Sequence, residues 1–422
     1  MTRAEQTAAF RRIITETLGT ILERTGDRPF LDTKFDVIDG RDYAGAAEPA
    51  FRSGRTVYAW IQGRGLEALA GHLHAGFGDA GCIRAVLRRV SSRLERIRAA
   101  NGGRMFFMMS PDGVFLNCDG TPRREPLPGD ANYSDLFCAK GLLHAARALQ
   151  DAALEREALA YLERTVAAIG ELRFVTDQQP FDPANPVAAR PGKVQQGPFM
   201  IALSGIAAAA ELTGDVKWLD RGCRFLRRVL TLHVDHSRGE PELFEAVRPD
   251  GTPYREDGRL ISDPGHALEF AGLALKFLAV LEKAGRPGSA AALHADRMLL
   301  ARLLRRHFTL GFRPGPGGIV KSFDLIGRCT VNADMPWWSL PETIRAAAEA
   351  EAAGCGDFSD ITGACAGALW NRFTNVEQHC FAYQTRDASG RPVRVIPAVP
   401  DLDPGYHTNL SLIDVLKLWG EL

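Results

Sequence analysis

The sequence predicts an all-α fold in which six helix hairpins close into a ring. Apolar residues recur at helical spacing in twelve segments along the chain. Every second segment begins near residue 56, 134, 198, 266, 338 or 408, so the hairpins repeat every 64 to 78 residues. Strands and helices do not alternate as in a dinucleotide-binding fold, and no G-x-G-x-x-G motif joins a strand to a helix.

The composition is that of an ordinary globular protein. Its 422 residues are 45% hydrophobic and 24% charged, and 51 Lys and Arg residues balance 51 Asp and Glu residues. A net charge of zero without a basic run gives no reason to expect a nucleic acid or an anionic membrane as a partner. The N-terminus lacks the apolar core of a signal peptide, and no apolar run reaches membrane-spanning length. Eight scattered cysteines without a C-x-x-C pair indicate reduced thiols, so we expect a cytoplasmic protein. The regular helix-hairpin period predicts one domain over residues 1–422.

The helical segments begin and end with the expected residues. The first ends at Gly26, and the pairs Gly78-Asp79 and Gly214-Asp215 separate later helices. The segment 285–288, Gly-Arg-Pro-Gly, separates the eighth helix from the ninth. The expected helices cover 3–24, 55–75, 79–100, 133–149, 152–171, 198–213, 216–232, 265–284, 287–307, 337–352, 358–374 and 408–420.

Strand-like pieces occur only between helix pairs. Residues 106–109 and 114–116 flank a Ser-Pro-Asp-Gly turn and predict a hairpin. Residues 317–331 and 381–396 are similar short ribbons, the second turning at 388–390. In a closed ring, alternate helices form an inner layer whose N-termini meet at one mouth, where free N–H groups suit a developing oxyanion. An open α-solenoid for protein binding, built from the same hairpins, is the alternative.

The eighth helix begins with residues that suit acid–base chemistry. Asp263 is a good N-cap and Pro264 suits the first helical position. His266 then lies in the first turn, where the helix dipole is expected to keep its imidazole neutral. Glu269 follows three residues later on the same face. A capped core helix with a merely hydrogen-bonded histidine is the alternative reading.

Other alternate helix starts also carry unusual polar or aromatic residues. Gln62 and Arg64 would be costly to bury among apolar neighbours without a partner or ligand. An internal ion pair of Arg64 with Glu67 or Asp135 is the alternative. The remaining candidates, each also explicable by capping or core packing, are Tyr133, Asp135, Trp337, Trp338, Glu342 and His407.

Two features lie outside the helix starts. His233 and His236 have the spacing of metal ligands, but no third ligand is evident, so no metal site is predicted. Glu245 lies just ahead of an Asp-Gly turn and is a further candidate for reaching the mouth.

Five sequence blocks resemble the N-acylglucosamine 2-epimerase family, which includes renin-binding protein, mannose and sulfoquinovose isomerases and cellobiose 2-epimerases. The blocks are Trp60-Ile61-Gln62-Gly63-Arg64, Tyr133-Ser134-Asp135-Leu136-Phe137, Asp263-Pro264-Gly265-His266 with Glu269, Trp337-Trp338 with Glu342, and Tyr406-His407. The resemblance covers roughly residues 10–420. It implies an (α/α)6 barrel with short β-hairpin loops at the mouth, in agreement with the helix period.

The resemblance also implies a chemistry. Members of the family open an aldose ring, remove the proton at C2, and reprotonate the enediol at C2 for epimerisation or at C1 for isomerisation. His266 and His407 fall on the catalytic histidines, and Glu269 falls on the glutamate that accompanies the first of them. Arg64 falls on a substrate-contacting arginine. The other residues expected to bind substrate are Gln62, Tyr133, Asp135, Trp337, Trp338 and Glu342.

Departures from the family pattern bear on the substrate. The sixth helix begins with the apolar segment 197–201 where some members place histidine or asparagine, and Met335 and Thr408 also replace commoner residues. We expect a 2-epimerase for a free or N-acylated hexose, without metal or cofactor, and with an aldose–ketose isomerase as the alternative. Alternatives from other classes are an (α/α)6 glycoside hydrolase, using Asp135 with Glu245 or Glu342, and a non-catalytic helical binding protein. A nucleotide activator and a homodimer, both known in the family, are left open by the sequence.

Overall fold

The computed structural model describes residues 1–43, 49–179, 181, 192–285, 290–395 and 401–422. Twelve α-helices lie in these ranges, as predicted. They are α1 (Arg3–Thr25), α2 (Ala59–His74), α3 (Ala80–Ala100), α4 (Tyr133–Leu149), α5 (Ala152–Gly170), α6 (Gly197–Thr213), α7 (Val216–Leu232), α8 (Pro264–Lys283), α9 (Ala290–Gly311), α10 (Ser339–Ala352), α11 (Ser359–Ala368) and α12 (Thr408–Leu418). The predicted first residues of α9, 287–289, lie outside the described ranges.

The even-numbered helices form a closed inner ring. Each packs against the next, from α2 through α4, α6, α8 and α10 to α12, and α12 returns to α2. The odd-numbered helices pack on the outside, and α1 contacts both α12 and α3. The contact between α12 and α2 excludes the open solenoid and confirms the (α/α)6 barrel.

The two rings differ in sequence because they differ in environment. The outer helix α7 buries Trp218, Phe225 and Val229 on one face and leaves arginines on the other. The inner helix α6 is apolar on nearly all sides. Among the described helices, α8 is long and apolar enough to cross a membrane by length and composition. However, 78% of its apolar stretch is buried in the barrel, the normal surroundings of an inner helix.

The strands are short, antiparallel and concentrated at the barrel mouth. They are β1 (Phe35–Asp36), β2 (Arg41–Asp42), β3 (Val57–Tyr58), β4 (Met108–Met109), β5 (Val194–Gln195), β6 (Val234–Asp235), β7 (Glu242–Leu243), β8 (Ala246–Val247), β9 (Ile261–Ser262), β10 (Phe312–Arg313), β11 (Gly318–Ile319), β12 (Ser322–Asp324), β13 (Cys329–Asn332), β14 (Met335–Pro336), β15 (Thr374–Asn375), β16 (Phe381–Ala382) and β17 (Thr385–Arg386). They pair as β1–β2, β3–β4, β5–β8, β6–β7, β9–β12–β13, β10–β11, β14–β17 and β15–β16. Because β3, β5, β9 and β14 end within three residues of α2, α6, α8 and α10, these pairs hold the N-termini of four inner helices.

The predicted hairpin turns are present. Met109 bridges to Phe115 across the first turn, and Gly390 donates to the Asp387 carbonyl oxygen in the last. Ile396, the predicted end of the last ribbon, lies outside the described residues. The predicted end of α11 is also modified, since a π-helical turn over Leu369–Phe373 follows Ala368.

Helices α2 and α4 are in backbone contact at two glycines. A Cβ atom on Gly141 would lie 2.2 Å from the backbone oxygen of Gly63, and one on Gly63 would lie 2.5 Å from the backbone carbonyl carbon of Phe137. Backbone atoms cannot swing aside as a flexible side chain can, so both positions require glycine. The close approach also brings the guanidinium of Arg64 to 4.2 Å from the ring centre of Phe137.

Gly141→Ala is expected to lower the free energy of unfolding by about 2–3 kcal/mol, because the added methyl group must push α2 and α4 apart. Urea unfolding of the purified variant measures the loss. Gly363→Ala is the matched control, since a Cβ atom there meets nothing within 4 Å in a helix, and it should be neutral or slightly stabilising. Equal stability of the two variants would contradict the tight contact.

Candidate active site

The N-terminal ends of the inner helices bring the two predicted histidines onto one indole ring. The His266 ring, at the start of α8, stacks on Trp338 with a centroid distance of 5.2 Å and an interplanar angle of 26°. The His407 ring, just before α12, lies 5.7 Å from the same indole. Arg64 of α2 reaches the same place, with its guanidinium 5.3 Å from the ring centre of Tyr406. Residues separated by hundreds of positions therefore meet where the sequence predicted a mouth.

His266 is held from one side by a carboxylate. Its Nδ1 lies 2.9 Å from Oε2 of Glu245, and its backbone N–H donates to Oδ1 of Asp263 at 3.2 Å, which is the predicted N-cap. Its side chain is 30% exposed, and no described residue bonds to Nε2. That nitrogen is therefore available to a ligand.

The expectation that His266 is neutral is wrong. Burial lowers the pKa of His266, but the charges of Asp263 and Glu245 outweigh it and raise that pKa to about 9. Oδ2 of Asp263 lies 3.4 Å from Nδ1 and also binds Nζ of Lys321 at 2.6 Å. A helix dipole contributes roughly 0.3–1 kcal/mol, which is too little to oppose two carboxylates in contact with the ring.

Glu245, rather than Glu269, is the carboxylate that bonds to His266. It lies between β7 and β8, and both of its backbone groups are fixed. Its N–H donates to Ile261, just before α8, and its carbonyl oxygen accepts from Gln196, just before α6, at 2.9 and 3.0 Å. Spacing along α8 predicted a same-face neighbour, but a loop from the preceding hairpin supplies the closer group. The sequence indicated Glu245, ahead of the Asp-Gly turn, as a candidate for reaching the mouth, but it did not predict that Glu245 bonds to His266.

His407 has an equivalent arrangement. Its Nδ1 lies 2.9 Å from Oε1 of Glu342, and the other oxygen of Glu342 accepts from the guanidinium of Arg345. Asp403 accepts from the backbone N–H groups of Tyr406 and Thr408 at 2.8 and 3.0 Å, fixing the start of α12. Each histidine thus has its Nδ1 against a carboxylate and its Nε2 unbonded within the described residues. Two oriented imidazoles of this kind can take a proton and give one.

Glu269 lies close to both His407 and Glu342. One oxygen of Glu269, one of Glu342 and a ring nitrogen of His407 are within 4.8 Å of one another. Burial, followed by the charge of Glu342, raises the pKa of Glu269. By donor type these three residues could hold a divalent ion, although Arg345 already binds Glu342.

His233, which has the spacing of a metal ligand in the sequence, is not part of this group. Its Nδ1 lies 3.3 Å from the Phe244 carbonyl oxygen.

Arg64 is a buried cation without an anionic partner in the described part of the chain. It is 9% exposed, and its guanidinium lies over Trp60, Phe137 and Tyr406 at 5.4, 4.2 and 5.3 Å from the ring centres. The alternative ion pairs do not form. Glu67 pairs with Lys140 at 3.3 Å, and Asp135 pairs with Arg104 at 2.7 Å. An unpaired guanidinium at this depth is suited to an oxyanion on a bound ligand.

The side chains of Gln62 and Asp135 form hydrogen bonds with other residues of the protein. The Gln62 amide accepts from the Leu31 N–H at 2.8 Å and donates to the Leu31 carbonyl oxygen at 3.1 Å. Asp135 accepts from Arg104, from the Tyr161 hydroxyl and from backbone N–H groups. Their predicted contact with substrate stays a prediction, and the observed bonds explain why polar side chains are buried there.

The remaining candidates lie around the two histidines. The Tyr133 ring packs on Trp60 at 5.2 Å, and its hydroxyl oxygen lies 2.9 Å from where a Cβ atom on Gly197 would be. Trp337 donates from Nε1 to the Thr408 hydroxyl at 3.2 Å, which joins the start of α10 to that of α12. The structure therefore groups Trp337, Trp338, Glu342 and Glu269 with the histidines, whereas Tyr133 packs on Trp60 beside the start of α6.

Comparisons with known proteins identify the family and the fold. Residues 109–409 match the sequence profile of the family described as N-acylglucosamine 2-epimerase (GlcNAc 2-epimerase). A D-mannose isomerase from Pseudomonas cannabina pv. alisalensis is 25% identical over 247 residues, and this match spans 52% of the present chain and 53% of that relative. Among solved structures, a sugar epimerase from a ruminal bacterium superposes with a TM-score of 0.72 at 13% identity, covering 97% of this chain and 98% of that one. A cellobiose 2-epimerase from Bacillus thermoamylovorans B4167 gives a TM-score of 0.72 at 11% identity, covering 97% and 99%.

Proposed function

Because the chain belongs to the N-acylglucosamine 2-epimerase family, we propose that it is a sugar epimerase or isomerase that moves the proton at C2 of an aldose. The observation that carries the proposal is the pair of imidazoles on one indole ring, each with a carboxylate on Nδ1 and a free Nε2. Removing a proton next to a carbonyl needs a base, and returning it to the opposite face needs an acid on that side.

The electrostatics support a division of roles. His266 carries a proton at neutral pH because its pKa is about 9, so it is the acid in the resting site. His407 then takes the C2 proton through Nε2, while Glu342 stabilises the resulting imidazolium. The guanidinium of Arg64 stabilises the enediolate oxygen. In the reverse direction the two histidines exchange roles.

The substrate that we propose is a free or N-acylated hexose, with 2-epimerisation as the outcome. This choice of substrate rests on the start of α6, where Phe199 and Met200 are apolar and some family members have histidine or asparagine. Aldose–ketose isomerisation shares the first proton transfer and differs only in where the proton returns. A glycoside hydrolase is disfavoured because Asp135, one of its two required carboxylates, is already bound on both oxygens.

Incubation with aldoses and N-acetylhexosamines in D2O, followed by NMR, tests the proposal. Deuterium is expected at C2, and the product identifies an epimer or a ketose. A parallel sample with EDTA tests the prediction that no metal is needed. A parallel sample with ATP determines whether a nucleotide activates the protein, a question that the sequence leaves open. Folded protein that exchanges no sugar in any of these samples would refute the proposed function.

Glu245→Gln keeps the shape of the side chain and removes its charge, so the pKa of His266 should fall from about 9 towards its ordinary 6.5. In the wild type the raised pKa stabilises the fold fully below pH 6.5, and this stabilisation is lost as the pH rises through 9. The loss is at most about 3–4 kcal/mol, at 1.36 kcal/mol per pKa unit. It should be smaller in the variant.

Urea unfolding of both proteins at pH 6 and pH 9 measures the difference. Glu240→Gln is the control, because Glu240 is a half-exposed partner of Arg302 and has no contact with His266. A wild type and a Glu245 variant with the same pH dependence would show that Glu245 does not hold the proton on His266.

A further inference from the structure

Glu269 is a buried carboxyl group that the two-histidine chemistry leaves without a task. Its side chain is only 4% exposed, and no hydrogen bond or ion pair from the described part of the chain reaches it. Glu245 and Glu342 already occupy Nδ1 of the two histidines. A buried polar group without a partner costs free energy, so its retention here indicates a partner supplied by the ligand.

The surroundings of Glu269 favour the form that carries a proton. It lies beside a second carboxylate, Glu342, with one oxygen of each and a ring nitrogen of His407 within 4.8 Å. Two neighbouring carboxyl groups cannot easily both ionise in a buried site, and of the two only Glu342 is paired with the guanidinium of Arg345. Burial and this neighbour both act to raise the pKa of Glu269. Glu269 is therefore a proton donor next to a base, His407.

We infer that Glu269 is the acid that opens the sugar ring, so that the protein has a second activity as an aldose mutarotase. This inference rests on the proposed function, because a cyclic aldose must open before C2 chemistry can begin. Glu269 gives its proton to the ring oxygen as the C1–O5 bond breaks. The O1 proton passes to Nε2 of His407 as the C1=O1 bond forms. His407 then returns that proton to the neighbouring Glu269, and both groups regain their starting state.

Ring closure is the reverse of these steps and can occur on either face of the aldehyde. Closure on the second face produces the other anomer without any change at C2. The mutarotase activity therefore needs Glu269 and His407 but does not need the C2 proton or His266.

Two substrates separate the ring-opening step from the C2 step. A 2-deoxyhexose forms a ring but has no stereocentre at C2, so its anomer interconversion reports ring opening alone. Glyceraldehyde has a C2 hydrogen but cannot close a five- or six-membered ring, so its deuterium exchange reports C2 proton transfer alone. Anomer interconversion is measured by NMR on the 2-deoxyhexose and on the hexose that exchanges best in D2O.

The wild type is expected to accelerate anomer interconversion of both sugars. Glu269→Gln should reduce that acceleration about 100-fold and change glyceraldehyde exchange by only a few-fold. Glu349→Gln is the matched control. Glu349 is also a buried carboxyl with a raised pKa, about 7, on the inner helix α10, but it lies two turns beyond Glu342. This control should change neither activity.

Equal losses in both assays for Glu269→Gln would show a merely structural role and overturn the inference. A wild type that exchanges C2 but does not accelerate anomer interconversion would also overturn it, while leaving the proposed function intact. Conversely, a wild type that accelerates anomer interconversion without any C2 exchange would refute the proposed function and retain the ring-opening role of Glu269.

Discussion

Replacing either histidine by asparagine is expected to lower kcat for sugar interconversion by about 10²- to 10⁴-fold while leaving half of the exchange chemistry in place. His266 and His407 lie against the Trp338 ring at 5.2 and 5.7 Å and come from different inner helices. In the proposed mechanism each reaches one face of C2. His266→Asn should still exchange the C2 hydrogen of the epimer that faces His407, and His407→Asn should exchange that of the other epimer.

NMR in D2O with each pure epimer as substrate distinguishes these outcomes. The double variant should lose both exchanges. His294→Asn, at an exposed position on α9, is the control and should behave as the wild type. If each single variant retained interconversion at a normal rate, neither histidine would be the acid or base, and a mechanism through carboxylates would have to be considered.

The barrel could be predicted from the sequence because its layers have different local patterns. The inner helix α6 is apolar on nearly all sides, whereas the outer helix α7 is apolar on one face only. The starts of the inner helices also repeat at a nearly constant interval along the chain. The partners of the strands could not be predicted. β3 pairs with β4, 51 residues later in the chain, and β9 pairs with β12, because such pairings depend on the packed helices and not on local spacing.

The site was predictable only in part for the same reason. Position at an inner helix start was sufficient to group His266, His407 and Trp338. It was insufficient to identify the bonding partners of the histidines. Glu245 arrives from a loop 21 residues before His266, and Glu342 comes from another helix, so neither contact follows from spacing on one helix. The charge of His266 was predicted wrongly because only the dipole of its own helix was considered, while the charge of Asp263, three residues earlier, was read as a cap alone and Glu245 was not expected beside the ring.

Arg64→Met is expected to lower kcat/KM by about 10²- to 10³-fold without lowering the free energy of unfolding. Arg64 is 9% exposed and forms no ion pair in the described ranges, so the carboxylates of Asp403, Glu269 and Glu342 act on its charge only from a distance. Its burial costs several kcal/mol. The three aromatic rings that it faces return about 2 kcal/mol or somewhat more. Methionine fits an aromatic environment and carries no charge, so the variant should be as stable as the wild type or more stable.

Arg104→Met is the matched control because Arg104 is a comparable cation that does have a partner. Its Nε lies 2.7 Å from the carboxylate of Asp135, which is 1% exposed. Removing Arg104 leaves that carboxylate uncompensated and should lower the free energy of unfolding by about 3 kcal/mol. Urea unfolding and C2 exchange in D2O, measured on both variants, give the two readouts. If Arg64→Met were destabilised as much as Arg104→Met, Arg64 would have a structural role. That result would contradict the proposal that its charge is held to stabilise the transition state.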